Sequence, residues 1–232
     1  MVNVDLGKYI KESMESYKKT VAEISKDEIT RVPMINREEV LYSFDDISKN
    51  LIPSAASVDA ICVQNKGVVL IEFKQGFADK SCFDTYDPSK VCCPHHPDES
   101  CFEFFEISQK NRKLEKENLY YCLRQKAVET FCTLEKQIFP LCCPSEGCKL
   151  TLYIVVDLDP IEEEISVWES VMNGESARNI QQRNQAMETY NAITDALKKY
   201  KISQNNRVYF FDEVEVMGVQ SFTEEKLPKL IS

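Results

Sequence analysis

The sequence predicts an α/β protein with a mixed central sheet flanked by helices. Three observations carry this. Val68-Val69-Leu70-Ile71 and Leu150-Thr151-Leu152-Tyr153-Ile154-Val155-Val156 are nearly unbroken apolar runs, as expected of strands covered on both faces. Val4, Leu6, Ile10, Met14, Tyr17, Val21 and Ile24 recur at helical spacing. Stretches of helical period then alternate with strand-like runs through the rest of the chain, the pattern of a layered α/β fold.

Taken in order, the first element is an amphipathic helix over 4–24, closed by Pro33 in the connection after it. Residues 38–50 read either as a strand over Val40-Leu41-Tyr42-Ser43-Phe44 or as part of a second short helix. Ser57 to Val63, the turn Gln64-Asn65-Lys66-Gly67 and Val68 to Gly76 then form a β-hairpin. A helix over about 112–138 buries Leu119, Leu123, Ala127, Phe131, Leu134 and Ile138. The strand Leu150–Val156 follows, with Asp157 and Asp159 at its end reading as turn residues. A helix over 178–201 sets Ile180, Met187, Tyr190, Ile193, Ala196, Leu197 and Tyr200 on its apolar side, and Val208-Tyr209-Phe210-Phe211 reads as a further strand.

At 232 residues, without a Gly/Ser/Pro-rich linker or a repeat, the chain is expected to be a single domain over 1–232. It carries an insertion at about 77–109, rich in Cys, Pro, Asp and aromatic residues. No apolar run reaches the roughly 18 residues of a membrane span, and Met1-Val2-Asn3-Val4-Asp5 lacks the basic-then-apolar order of a signal peptide. A cytoplasmic location is expected, with no membrane partner.

The hairpin carries the chemistry. Side chains two apart on a strand share a face, so Glu72 and Lys74 lie together at the end of an apolar strand. If the turn centres on Asn65-Lys66, Asp59 stands directly opposite Glu72. If Gly67 forms a bulge, Asp59 lies opposite Phe73 instead. Two carboxylates at the end of a buried strand repel and are costly to desolvate, and a divalent cation between them relieves both. The bland alternative makes Asp59 a turn residue and Glu72 with Lys74 a solvated ladder, but Val68 to Ile71 lacks the polar alternation of a solvated face.

An aspartate on one strand and Glu-x-Lys on the next resembles the PD-(D/E)XK nuclease superfamily, with Asp59 and Glu72-Phe73-Lys74 as the matching residues. The likeness extends through the order of elements over about 36–157, and Val58 stands where the family's pattern has proline. The resemblance implies a restriction-endonuclease-like three-layer core and metal-dependent hydrolysis of DNA phosphodiester bonds. Asp59 and Glu72 would hold Mg²⁺ (or Mn²⁺), Phe73 would offer its carbonyl, and Lys74 would orient or deprotonate water and steady phosphate charge. It also implies an acid from a preceding helix, for which Glu12, Glu38, Glu39 and Asp45 are candidates, and phosphate contacts from the helix after the insertion, where Gln125 and Lys126 match best.

Two features weigh on that expectation. The net charge is −10, which disfavours general nucleic-acid binding. Yet Lys110, Arg112, Lys113, Lys116, Arg124 and Lys126 form a local basic excess over Glu115 and Glu117. A protein partner that supplies a basic surface would also reconcile acidity with a nucleic-acid substrate. An inactive nuclease-like binding or regulatory module is the alternative reading.

The ten cysteines are many for a reducing compartment, and both histidines of the chain, His95 and His96, fall among Cys82, Cys92, Cys93 and Cys101. A structural Zn²⁺ on Cys82, Cys93, His95 and Cys101 would staple an insertion too long to hold a structureless loop; small buried thiols and turn residues are the alternative. The iron–sulfur arrangement of some similar nucleases needs a cysteine ahead of the first acid, and none precedes Asp59.

Overall fold

The two apolar runs are the central strands of one sheet. The computed structural model describes residues 5–27, 30–64, 67–75, 92–93, 96–100, 118, 120–142, 148–159, 189–197 and 210–231. In chain order these form α1 (Leu6–Ser13), β1 (Lys18–Thr20), α2 (Val21–Ile24), β2 (Val40–Ser43), α3 (Phe44–Leu51), β3 (Ala60–Gln64) and β4 (Gly67–Lys74). A small ribbon of β5 (Cys92–Cys93) and β6 (His96–Ser100) comes next, then α4 over 120–133, which runs on into a π turn at Leu134–Ile138. The chain ends with β7 (Lys149–Val156), α5 over 189–197, β8 (Glu213–Gly218) and a helical run, α6, over 219–231.

Among the described residues the main sheet has six strands in the order β1-β2-β3-β4-β7-β8. The first four pair antiparallel, while β4, β7 and β8 run parallel. A parallel β4–β7 pair requires a crossover, and α4 lies on that connection. One face of the sheet, with Ile61, Val68, Leu70, Leu152 and Ile154, packs under α1, α3, α4 and α5. The other, with Val69, Ile71, Phe73 and Val155, packs against Val21 of α2 and Phe222, Leu227 and Leu230 of α6. Double coverage explains why β4 and β7 show no polar alternation. Glu72 continues the Val68–Leu70 face and therefore points under α4. Among the described residues no helix is long and apolar enough to cross a membrane.

One local reading needs correction and two are completed by the structure. The expected helix over 4–24 ends at Ser13, and the chain then crosses to the sheet edge as β1 before α2 begins. Thr20 starts α2 with a capping box: its hydroxyl accepts from Glu23 N, and the Glu23 carboxylate accepts from Thr20 N. The break moves the apolar stripe across the sheet, with Leu6, Ile10 and Met14 packing on one face and Val21 on the other. Residues 38–50 form both alternatives in succession, β2 and then α3, with Ser43 capping the helix. Of the strand read over Val208–Phe211, Val208 and Tyr209 lie outside the described residues, and β8 follows as a strand that reading did not include. Phe211 is fully buried beside Phe131, and Asp212 fixes the approach by accepting from Leu150 N. Glu213-Val214-Glu215-Val216 has the alternation of an edge strand.

Gly218 ends β8 where three segments meet. A Cβ there would lie 1.9 Å from Asp159 Oδ1 and 2.6 Å from the Tyr190 hydroxyl oxygen. Asp159 Oδ1 accepts from Gln220 N at 3.0 Å, and the Tyr190 hydroxyl donates to Leu158 O, so neither is free to yield. Gly218→Ala is expected to lower stability by about 1–3 kcal/mol, read as a lower urea midpoint at unchanged slope. A wild-type midpoint would contradict the packing described.

Candidate active site

β3 and β4 pair from Ala60↔Ile71 to Gln64↔Gly67 without a shift, the register expected of a turn at Asn65-Lys66, and Asp59, one residue before the first pair, meets Glu72 at the Lys126 ammonium that both contact. Asp59 is fixed by its backbone and its side chain together. Its N–H donates to Ile71 O (3.0 Å) and its carbonyl accepts from Phe44 N (2.9 Å). Its Oδ2 accepts from Phe73 N at 2.7 Å, so a side chain takes over the ladder where the strand backbone turns away. The approach is tied to α4: Ala56 N donates to Glu129 Oε2 (2.6 Å) and Val58 N to the Thr130 hydroxyl (3.0 Å).

α4 also brings Lys126 to the hairpin. Its Nζ donates to Glu72 Oε1 and Oε2 at 2.8 and 2.9 Å and to Asp59 Oδ1 at 3.3 Å. The Glu72 side chain is 1 % exposed, against 20 % for Asp59 and 25 % for Lys126. Burial, reinforced by the charge of Asp59, pushes the Glu72 carboxyl up to about 8, against the opposing pull of Lys126 and Lys74. Asp59 is also shifted upward by burial, despite Lys126 and the Phe73 N–H. Burial disfavours the Lys126 ammonium, but the two carboxylates outweigh it and hold the amine charged. One ammonium compensates one of two carboxylate charges, so the pair retains a proton near neutrality.

A cavity of about 350 Å³ adjoins this cluster, lined by Asp59, Phe73, Lys74, Gln75, Gln125 and Lys126, with Lys26 and Asp27 facing them. The five residues singled out on the hairpin and α4 are thus brought together: Asp59, Glu72 and Lys126 in contact, Lys74 and Gln125 at the cavity they border. Gln125 donates to Glu129 Oε1 at 2.7 Å. Of the candidate helix acids, Asp45 is the one whose charge reaches Asp59, and it accepts from the Ser57 hydroxyl at 3.1 Å. Glu12 pairs with Lys8, Glu39 lies 4.0 Å from Arg37, and Glu38 is exposed.

Glu129 and Thr130 were not singled out by the sequence reading. They follow Lys126 at helical spacing as a polar stripe beside the apolar face of α4, and Thr130 is fully buried. That stripe is the signal that could have found them.

Whether these residues suit Mg²⁺ or Mn²⁺ turns on their oxygens. Among the described residues no group of three or more His, Cys, Asp or Glu side chains forms a metal cage. Two convergent carboxylates, already holding a cationic group, do fit an ion that binds through one or two carboxylates and takes its remaining ligands from water and phosphate. The zinc set fares differently. Cys82, His95 and Cys101 lie outside the described residues, as do most of the 77–109 insertion and Lys110, Arg112, Lys113 and Lys116, and of Cys93 only its backbone pairing with His96 is described. Comparison of the chain with protein-family models, curated proteins and solved structures finds no match.

The cluster makes stability depend on pH. The Glu72 value in the fold, about 8, lies above its ordinary 4.5, so its contribution is complete below about 4.5 and lost as pH rises through about 8. Denaturation across that range is expected to show wild-type stability falling by on the order of 3–5 kcal/mol, with a flatter profile for Glu72→Gln. An identical slope in the variant would contradict the assignment. Lys126→Met leaves the carboxylates without their counter-ion and is expected to cost about 3–5 kcal/mol at the alkaline end of the range. At the acid end, where Glu72 carries its proton, the cost is smaller, and an equal loss at both ends would contradict the ion pairing.

Proposed function

We propose that this chain is a divalent-metal-dependent nuclease of the PD-(D/E)XK type that hydrolyses DNA phosphodiester bonds. The observation that carries the reading is the meeting of Asp59 and Glu72 across the hairpin, with Lys74 one step along the same face, at the wall of a cavity rich in lysine. It is also supported by the order β2, α3, β3, β4, α4, β7 around the motif, with β2, β3 and β4 antiparallel and β7 parallel to β4, which suits a restriction-endonuclease-like core.

In this reading Asp59 and Glu72 hold Mg²⁺ or Mn²⁺. When bound, the ion supplies a lowered water pKa and compensation for the charge that builds on phosphate. Lys74 lies at the cavity wall, where its ammonium steadies the phosphate oxygens and orients the attacking water. Gln125 and Lys126 contact the phosphate from α4. Asp45, Glu129 and Thr130 act through others, holding Ser57, Ala56 and Val58 so that Asp59 keeps its place. The net charge of −10 supports a further element of the proposal, a protein partner that supplies the basic surface for DNA. A Zn²⁺-stapled insertion and a cytoplasmic setting complete it, the latter in keeping with the free thiols at Cys62, Cys122 and Cys132.

One observation favours a second reading, an inactive nuclease-like binding module: Lys126 already sits where the cation would bind. Cleavage of single- and double-stranded DNA in Mg²⁺ or Mn²⁺ separates the two. The nuclease reading expects metal-dependent cutting that falls on the order of 10²–10⁴-fold in Glu72→Gln and in Lys74→Ala, both verified as folded. Cutting that survives in these variants, or a metal-bound wild type that cuts neither substrate, would sink it.

A further inference from the structure

We infer that the Lys126 ammonium is the resident counter-ion of the Asp59–Glu72 pair, and that it leaves for the adjoining cavity when a divalent cation takes its place. Lys126 then has two positions, one that closes the metal-free site and one that faces the phosphate. The inference rests on the nuclease reading above and describes how that site is gated.

The geometry leaves little room for coexistence. Nζ occupies both Glu72 oxygens and Asp59 Oδ1, at 2.8, 2.9 and 3.3 Å, the same atoms that an entering ion would need. An ammonium and a divalent ion sharing those oxygens would lie within about 4 Å of each other, where like charges repel strongly in a partly buried site. Lys126 also guards the way in. Glu72 is wholly buried and does not line the cavity, whereas Lys126 both lines the cavity and contacts Glu72. A cation approaching Glu72 from the cavity therefore meets Asp59 and Lys126 first, since both line the cavity.

Departure of the ammonium has a destination and a driving force. The cavity, at about 350 Å³, is several times larger than the roughly 30 Å³ share of one water, and the lysine stem is flexible and already part of its wall. Turned outward, Lys126 joins Lys74 and Lys26 there, making three ammonium groups that suit a phosphodiester backbone. The charge match improves as well. One ammonium brings a single positive charge to two carboxyl groups, whereas a divalent ion matches the charge of both carboxylates and frees Lys126 for the substrate.

Amine footprinting of the full wild-type chain tests this. Brief acetylation followed by peptide mass spectrometry reads Lys126 against Lys8, whose side chain is 66 % exposed. Without divalent ions Lys126 is expected to react much more slowly than Lys8. Saturating Mn²⁺ is expected to abolish that protection, while KCl at matched ionic strength leaves it intact. Mn²⁺ binding is followed on the same samples by loss of the free-ion electron paramagnetic resonance signal. Bound Mn²⁺ with Lys126 still protected would overturn the displacement and leave the nuclease reading standing. No Mn²⁺ binding would overturn both. Lys126→Gln, checked for folding by circular dichroism, is expected to bind Mn²⁺ more tightly than wild type, and equal or weaker binding counts against a resident counter-ion.

Discussion

The contact on which the site depends is the Lys126 ammonium held between Glu72 and Asp59 beneath α4. A carboxylate as buried as Glu72 is tolerated only when it is protonated, paired or both, and this one is both. Apolar side chains of similar volume would fill such a place at no loss of stability, and often with a gain. A charged cluster at the end of an otherwise apolar strand is therefore a local departure from the rule that governs the remainder of β4. Such departures concentrate where chemistry is done.

The fold delivers these groups by separate routes. β4 contributes Glu72 and Lys74 because its period of two continues the Val68–Leu70 face to the strand end. β3 contributes Asp59 at the point where the chain leaves the sheet, and the carboxylate replaces the missing ladder partner of Phe73. α4 contributes Lys126, and through Glu129 and Thr130 it fastens the segment that carries Asp59. The same helix thus supplies the counter-ion and the clamp. A shift of α4 along the sheet would disturb both carboxylates together.

Much of this was legible in the chain. The apolar runs of β4 and β7 required cover on both faces, and the pairing of Gln64 with Gly67 gave the register that brings the Asp59 end of β3 to the Glu72 end of β4. Local signals also existed where the reading went astray. Thr20 and Glu23 spell a capping box inside what periodicity alone presents as one helix, and Glu213 to Val216 alternate as an edge strand should. Lys126 was expected at the site as a phosphate contact, but its seat between Asp59 and Glu72 was not legible, because only tertiary packing turns a lysine of a basic run inward. The polar stripe of α4 could have pointed to Glu129 and Thr130, but not to their partners Ala56 and Val58, which are more than 70 residues away in the chain.

The central claim is that the Asp59–Glu72 pair is a cation site, filled by Lys126 in the metal-free protein. Anomalous diffraction from crystals grown in Mn²⁺ tests it most directly. The account predicts an anomalous peak at the Asp59–Glu72 pair, with the Lys126 side chain turned into the cavity. Lys126 Nζ still seated between the two carboxylates, with no anomalous peak beside them at saturating Mn²⁺, would contradict it.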